Sequence, residues 1–138
     1  MNRSIFFILF VLLASLTGCA STETRPDDAL ISSNIMLTEA QTGKEILAQV
    51  GQQIDIRLPS NRSTGYQWTQ TEPMRGALRD ASPLYEPTNP EVLGSGGTDV
   101  FHFTAARPGK QALKFEYART WVGSPPASQK VNYVIIVE

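Results

Sequence analysis

The chain has 138 residues, enough for one domain, and 12 Lys+Arg stand against 13 Asp+Glu for a formal net charge of −1. That balance offers no basic surface to hold a polyphosphate, so no nucleic-acid partner is expected. One Cys and one His exclude an intrachain disulfide framework and a zinc site of the usual Cys/His kind, and leave only His102 for a catalytic dyad. No metal, cofactor or enzymatic activity is expected.

The N-terminal segment reads as an address. Asn2-Arg3 makes a short positive start, and Ile5 to Leu16 is almost wholly apolar. That run is shorter than the roughly 20 residues of a membrane-spanning helix, and a charged start before a short apolar stretch marks a secretory signal. It ends in Leu16-Thr17-Gly18-Cys19, which resembles the bacterial lipobox. The resemblance implies a leader over residues 1–18, cleavage before Cys19 and a lipid on that Cys, an anchor rather than a span. Ala20 then implies, by the Gram-negative sorting rule, an outer-membrane lipoprotein facing the periplasm. Residues 19–33 are polar, carry Arg25-Pro26-Asp27-Asp28, and read as a tether.

Residues 34–138 read as one domain of short strands. Ile35 and Leu37, then Ile46, Ala48 and Val50, are two short candidates around a Gln41-Thr42-Gly43 turn. Ile54, Ile56 and Leu58 alternate with Asp55 and Arg57, and Pro59 is expected to close that strand. Tyr66 and Trp68 share one face of the next. Met74 to Pro90 is rich in Pro and polar residues; it reads either as a helical turn over Gly76 to Ala81 or as a long loop with one edge strand. Phe101 and Phe103 flank His102, which is expected to face solvent with no acidic partner nearby in sequence. Asp99 and Glu116 read as solvated charges. Leu113, Phe115 and Tyr117 alternate with Lys114 and Glu116. Val131, Tyr133, Ile135 and Val137 form the last strand, partly apolar on both faces through Val134 and Ile136.

Turn chemistry separates these runs at Ser60-Asn61, Gly94-Ser95-Gly96-Gly97, Arg107-Pro108-Gly109-Lys110 and Gly123-Ser124-Pro125-Pro126. About seven short strands so spaced imply an all-β fold, an immunoglobulin-like antiparallel β-sandwich. Its core would rest on Phe101, Phe103, Phe115, Tyr117 and Tyr133, each worth roughly 1.5–3 kcal/mol on full burial.

Three loops carry a further resemblance. They read Asn61-Arg62-Ser63-Thr64-Gly65-Tyr66, then Gly94-Ser95-Gly96-Gly97, then Arg119-Thr120-Trp121. In that order and spacing the chain resembles the chagasin family of cysteine-protease inhibitors, which carry N-P-T-T-G-Y/F, G-x-G-G and R-P-W/F loops on an immunoglobulin-like sandwich. The resemblance implies a monomeric reversible inhibitor whose partner is a papain-like cysteine protease, its cleft filled by the three loops side by side. It puts Thr64 nearest the protease nucleophile, Gly94, Gly96 and Gly97 along the non-primed side, and Arg119 and Trp121 on the primed side. Arg62 and Thr120 stand where the family has Pro. Loss of a fixed φ implies a looser central loop, now with a positive charge at its tip.

Other readings of the same residues are weaker. Asn61-Arg62-Ser63 is a glycosylation pattern, out of place behind a bacterial lipobox. Gly94-Ser95-Gly96-Gly97 lacks the Lys-Ser/Thr and the helix of a phosphate loop. Tyr66, on one face with Trp68, is expected to shape its loop, and Trp121 in a long polar loop is expected to be exposed for a reason. A second functional reading is a non-inhibitory envelope module that binds a cell-wall or protein partner through these loops.

Overall fold

The computed structural model describes residues 33–121 and 127–138. The expected leader, Cys19 and the tether up to residue 32 lie outside the described residues, as does the Gly123-Ser124-Pro125-Pro126 turn.

The described chain forms β1 (Ile35–Leu37), β2 (Glu45–Ala48), β3 (Gln53–Ser60), β4 (Tyr66–Gln70), β5 (Leu78–Asp80), β6 (Leu84–Pro87), β7 (Gly97–Ala105), β8 (Gly109–Arg119) and β9 (Gln129–Val137). One sheet runs β1-β3-β7-β5, with β6 sharing β7's outer edge; the other runs β2-β9-β8-β4. The alternation read from the sequence sets which face is buried. Ile54, Ile56 and Leu58 of β3 are buried together with Phe101 and Phe103 of β7, against Leu113 and Phe115 of β8 and Val131, Tyr133 and Ile135 of β9. Phe115 sits at the centre, 4.6 Å from the Phe101 ring and within 6.5 Å of Phe103 and Tyr133. Burial pushes the Tyr133 hydroxyl up to about 12, with nearby Glu39 adding to the shift, and that hydroxyl donates to the Thr38 carbonyl at 2.9 Å.

Four details differ from the sequence reading. The edge strands β1 and β2 pair in parallel with β3 and β9, because each is reached by a crossover between sheets rather than a hairpin. Pro59 does not close β3, which continues to Ser60 opposite Gly97. Pairing with β1 stops at Ile56, so this stretch lies at the sheet's edge, where a missing N–H is tolerated. No helical turn forms over Gly76 to Ala81. Gly76 has φ +91°, which breaks a right-handed helix, and Leu78–Asp80 pairs with Phe103–Ala105. The buried Gln111 fixes the approach to β5, accepting from the Arg75 N–H at 2.6 Å and donating to the Pro73 carbonyl at 3.2 Å. Finally, His102 does face outward, but it has an acidic partner. Asp55 lies directly opposite on β3, with Oδ1 2.7 Å from the His102 Nδ1.

Strand direction divides the sandwich into two ends. Ser60 of β3 meets Gly97 of β7 at one end, and Tyr66 of β4 meets Arg119 of β8 there. Ile35 of β1 meets Ile54 at the other end, as Gly109 meets Val137. The chain therefore enters the domain, and leaves it, at the end opposite the three loops.

Candidate functional site

The loops meet because their stems pair. Residues 61–65 cross from one sheet to the other between Ser60 and Tyr66, while Gly97 and Arg119, the stems of the other two loops, pair with those same two residues. A rigid sandwich end thus brings together residues that lie up to 60 positions apart in sequence.

The central loop is a 3-10 turn over Arg62–Thr64 capped by Asn61. The Asn61 Oδ1 accepts from the Ser63 N–H at 3.2 Å and from its hydroxyl at 2.6 Å. The Thr64 N–H and hydroxyl both donate to the Asn61 carbonyl, at 3.1 and 2.6 Å. Gly65 closes the turn at φ +83°, a left-handed conformation that glycine adopts without steric cost. The Asn61 N–H is satisfied by the Tyr117 hydroxyl at 2.9 Å. Ser63 and Thr64 are left exposed at the tip.

Arg62 departs from expectation. Its charge is not carried at a loose tip. Its Nε and Nη2 donate to the Asp99 Oδ1 at 2.9 and 2.5 Å, and its guanidinium lies 4.7 Å from the centre of the Tyr85 ring. Asp99 is fully buried rather than solvated, with its Oδ2 accepting from the Trp68 N–H at 3.2 Å. A buried carboxylate is tolerable only with such donors around it. Counting back by two from Phe103 and Phe101 places Asp99 on the inward face; its residue type argued for solvent, and the position prevailed. Glu116 does lie on the outer face, paired with Lys130 at 2.7 Å.

In the second loop Gly94 has φ +82°, and a Cβ there would lie 3.9 Å from the Ser63 Oγ, so this loop lies beside the central one. The Ser95 hydroxyl donates to the Asn89 carbonyl at 2.7 Å, and the Gly96 carbonyl accepts from the Thr88 N–H at 2.8 Å. A Cβ on Gly97 would stand 2.5 Å from the Glu86 carbonyl oxygen and 2.6 Å from the Tyr85 hydroxyl, so β6 packs here only against glycine. Leu93, absent from the sequence-derived set, is fully exposed beside Gly94. The available signal was an apolar pair, Val92-Leu93, inside an otherwise polar turn.

The third loop is tied to the central one by aromatic contacts. The Arg119 guanidinium lies 4.8 Å over the Tyr66 ring, Tyr66 stacks on Tyr117 at 5.3 Å, and Tyr117 meets the buried Trp68 at 5.2 Å. Tyr66 is only half-buried, and the Arg119 guanidinium lies along its exposed ring. Thr120 is exposed. Trp121 is 65% exposed, yet its indole covers Gly65 so closely that a Cβ on Gly65 would fall 1.3 Å from its outermost ring carbon. The loop end thus presents Ser63, Thr64, Leu93 and Trp121 to solvent.

Comparison with known proteins places the chain in a family and a fold. Residues 48–136 match the family described as chagasin family peptidase inhibitor I42. The chain is 32% identical over 99 residues to chagasin of Trypanosoma cruzi, covering 68% of this chain and 89% of that protein. Its fold is similar to that of a cysteine protease inhibitor from Entamoeba histolytica, with TM-score 0.68 and 20% identity over 76% of this chain and 96% of that one. It is also similar to the solution structure of amebosin, with TM-score 0.66 and 23% identity over 78% of this chain and all of that one.

Proposed function

Since this chain belongs to the chagasin family of peptidase inhibitors, we propose that it inhibits papain-like cysteine proteases by lodging its three-loop end in their active-site cleft. The observation that carries this reading is the proximity of the three loops to one another: Ser63 beside Gly94, and Gly65 beneath Trp121. On this reading the Thr64 end of the central loop lies over the protease nucleophile, with Leu93 to Gly97 on one side and Trp121 on the other. Trp and Arg are the residues most often dominant at interfaces. Here Trp121 supplies exposed apolar area, and Arg119 supports it from the Tyr66 platform. The central loop is already bonded to itself through Asn61, so binding does not have to order it.

The direct test is titration of papain with the chain lacking residues 1–18. Stoichiometric, reversible loss of activity is expected at or below micromolar inhibitor. Full protease activity at that concentration would exclude the proposal.

We also propose that Cys19 carries a lipid and holds the domain at the cell envelope, on the strength of the Leu16-Thr17-Gly18-Cys19 sequence behind a short apolar run. When the full gene is expressed in a Gram-negative host, the protein is expected in the membrane fraction and the Cys19→Ala variant outside it. An unchanged distribution would refute the lipid assignment.

A further inference from the structure

We propose that Arg62 is a positioning residue: its guanidinium, gripped by Asp99 and Tyr85, holds the central loop in its binding shape from beneath. The proposal deepens the inhibitory reading above and rests on it for its first readout.

An arginine at the tip of a binding loop ordinarily offers its charge to the partner. Here both Nε and Nη2 are directed inward to one oxygen of a fully buried carboxylate, and the face of the guanidinium is covered by Tyr85. The guanidinium is thus paired within the inhibitor although 40% of the side chain stays exposed, and it is this pairing that assigns it an internal role.

The grip also reaches the right places. Asp99 is two residues beyond Gly97, the stem of the second loop, and Tyr85 packs on Gly97 itself. The other oxygen of Asp99 holds the Trp68 N–H, at the start of the strand leaving the central loop. One carboxylate therefore joins the central loop, the second loop's stem and β4. A charge-assisted contact of this kind is roughly twice as strong as a neutral one.

A backbone constraint could do the same work. Arg62 is the first residue of a 3-10 turn, a position where proline's fixed φ fits and its missing N–H is not needed. Asn61 before it is non-helical, and its φ of −132° falls in the range a residue preceding proline adopts, while its ψ of 87° would have to open by about 30° to reach that range. Side-chain grip and proline ring are two solutions to one problem, and the second should replace the first.

The test uses the full chain in mild detergent, with melting curves confirming that each variant folds. Arg62→Ala and Asp99→Asn are each expected to weaken papain inhibition about tenfold, and the double variant no more than about twofold further, because both remove one coupled interaction. Arg62→Pro with Asp99→Asn is expected to recover to within about threefold of the parent, since the ring restores the constraint. A loss in Arg62→Ala without one in Asp99→Asn would mean that Arg62 touches the protease, and would overturn the proposal; so would failure of the proline variant to recover. A second readout needs no protease. Amide hydrogen exchange at Ser63, Thr64 and Gly65 should be about tenfold faster in Arg62→Ala than in the parent. If the parent does not inhibit papain, the inhibitory reading fails and the grip is judged on exchange alone, where unchanged rates overturn it.

Discussion

Gly65→Ala is expected to weaken papain inhibition about a hundredfold while leaving the sandwich folded. Two effects combine. At φ +83° an L-residue costs about 1–2 kcal/mol more than glycine. The larger effect is steric: the new Cβ would stand 1.3 Å from one Trp121 ring carbon and 2.1 Å from the next, so the indole must leave. Trp121 would then lose its seat on the central loop, and the two loops could no longer present one continuous surface. Trp121→Ala should weaken inhibition to a similar degree, and adding it to Gly65→Ala should cost much less than it does alone. Inhibition constants for the two single variants and the double variant check this; a Gly65→Ala protein that inhibits as well as its parent would refute the seat.

The largest effect on stability is expected from Phe115→Ala, at about 3–5 kcal/mol. Phe115 has no exposed surface. It lies opposite Gln70 and Val131 in its own sheet and meets Phe101 and Phe103 across the interface. Of the strands around the void, β9 and β7 are each held in register by pairing on both sides, so they cannot readily close on it. Against a typical total of roughly 5–15 kcal/mol, this loss brings the variant close to unfolding. Urea denaturation followed by tryptophan fluorescence should show a lower midpoint with an unchanged slope. A loss below about 1 kcal/mol would mean that the ring is not central to the core.

The strands β3, β7, β8 and β9 were legible in the sequence because one mostly buried face imposes a period of two along much of each. The first two loops were legible because glycine and asparagine mark turns; Arg119-Thr120-Trp121 carries neither and stood out only by its resemblance to the family's third loop. The strands β5 and β6 were not, since Leu84–Pro87 carries no alternation of its own and is held by pairing with β7. The parallel edges escaped notice because a partner strand is not encoded locally: β2 meets β9 from 89 positions away. The same limit applied to the polar residues. Asp99 finds its cation 37 positions upstream and His102 its carboxylate 47 positions upstream, separations that composition and spacing do not reveal. Within the candidate site, side-chain contacts were the illegible part: Arg62 pairs with Asp99, Arg119 lies over Tyr66, and Leu93, unmarked by any turn signal, is fully exposed.

The separation of the two ends has a practical reach. The N-terminal approach joins β1 at the Ile54 end of β3, the rear of the molecule with respect to the loops. Whatever holds the protein by that approach, whether a fatty anchor, a fused partner or a resin bead, attaches at the back. An attachment made through that approach therefore does not have to cover the loop end, and a protease arriving from solution can still reach it.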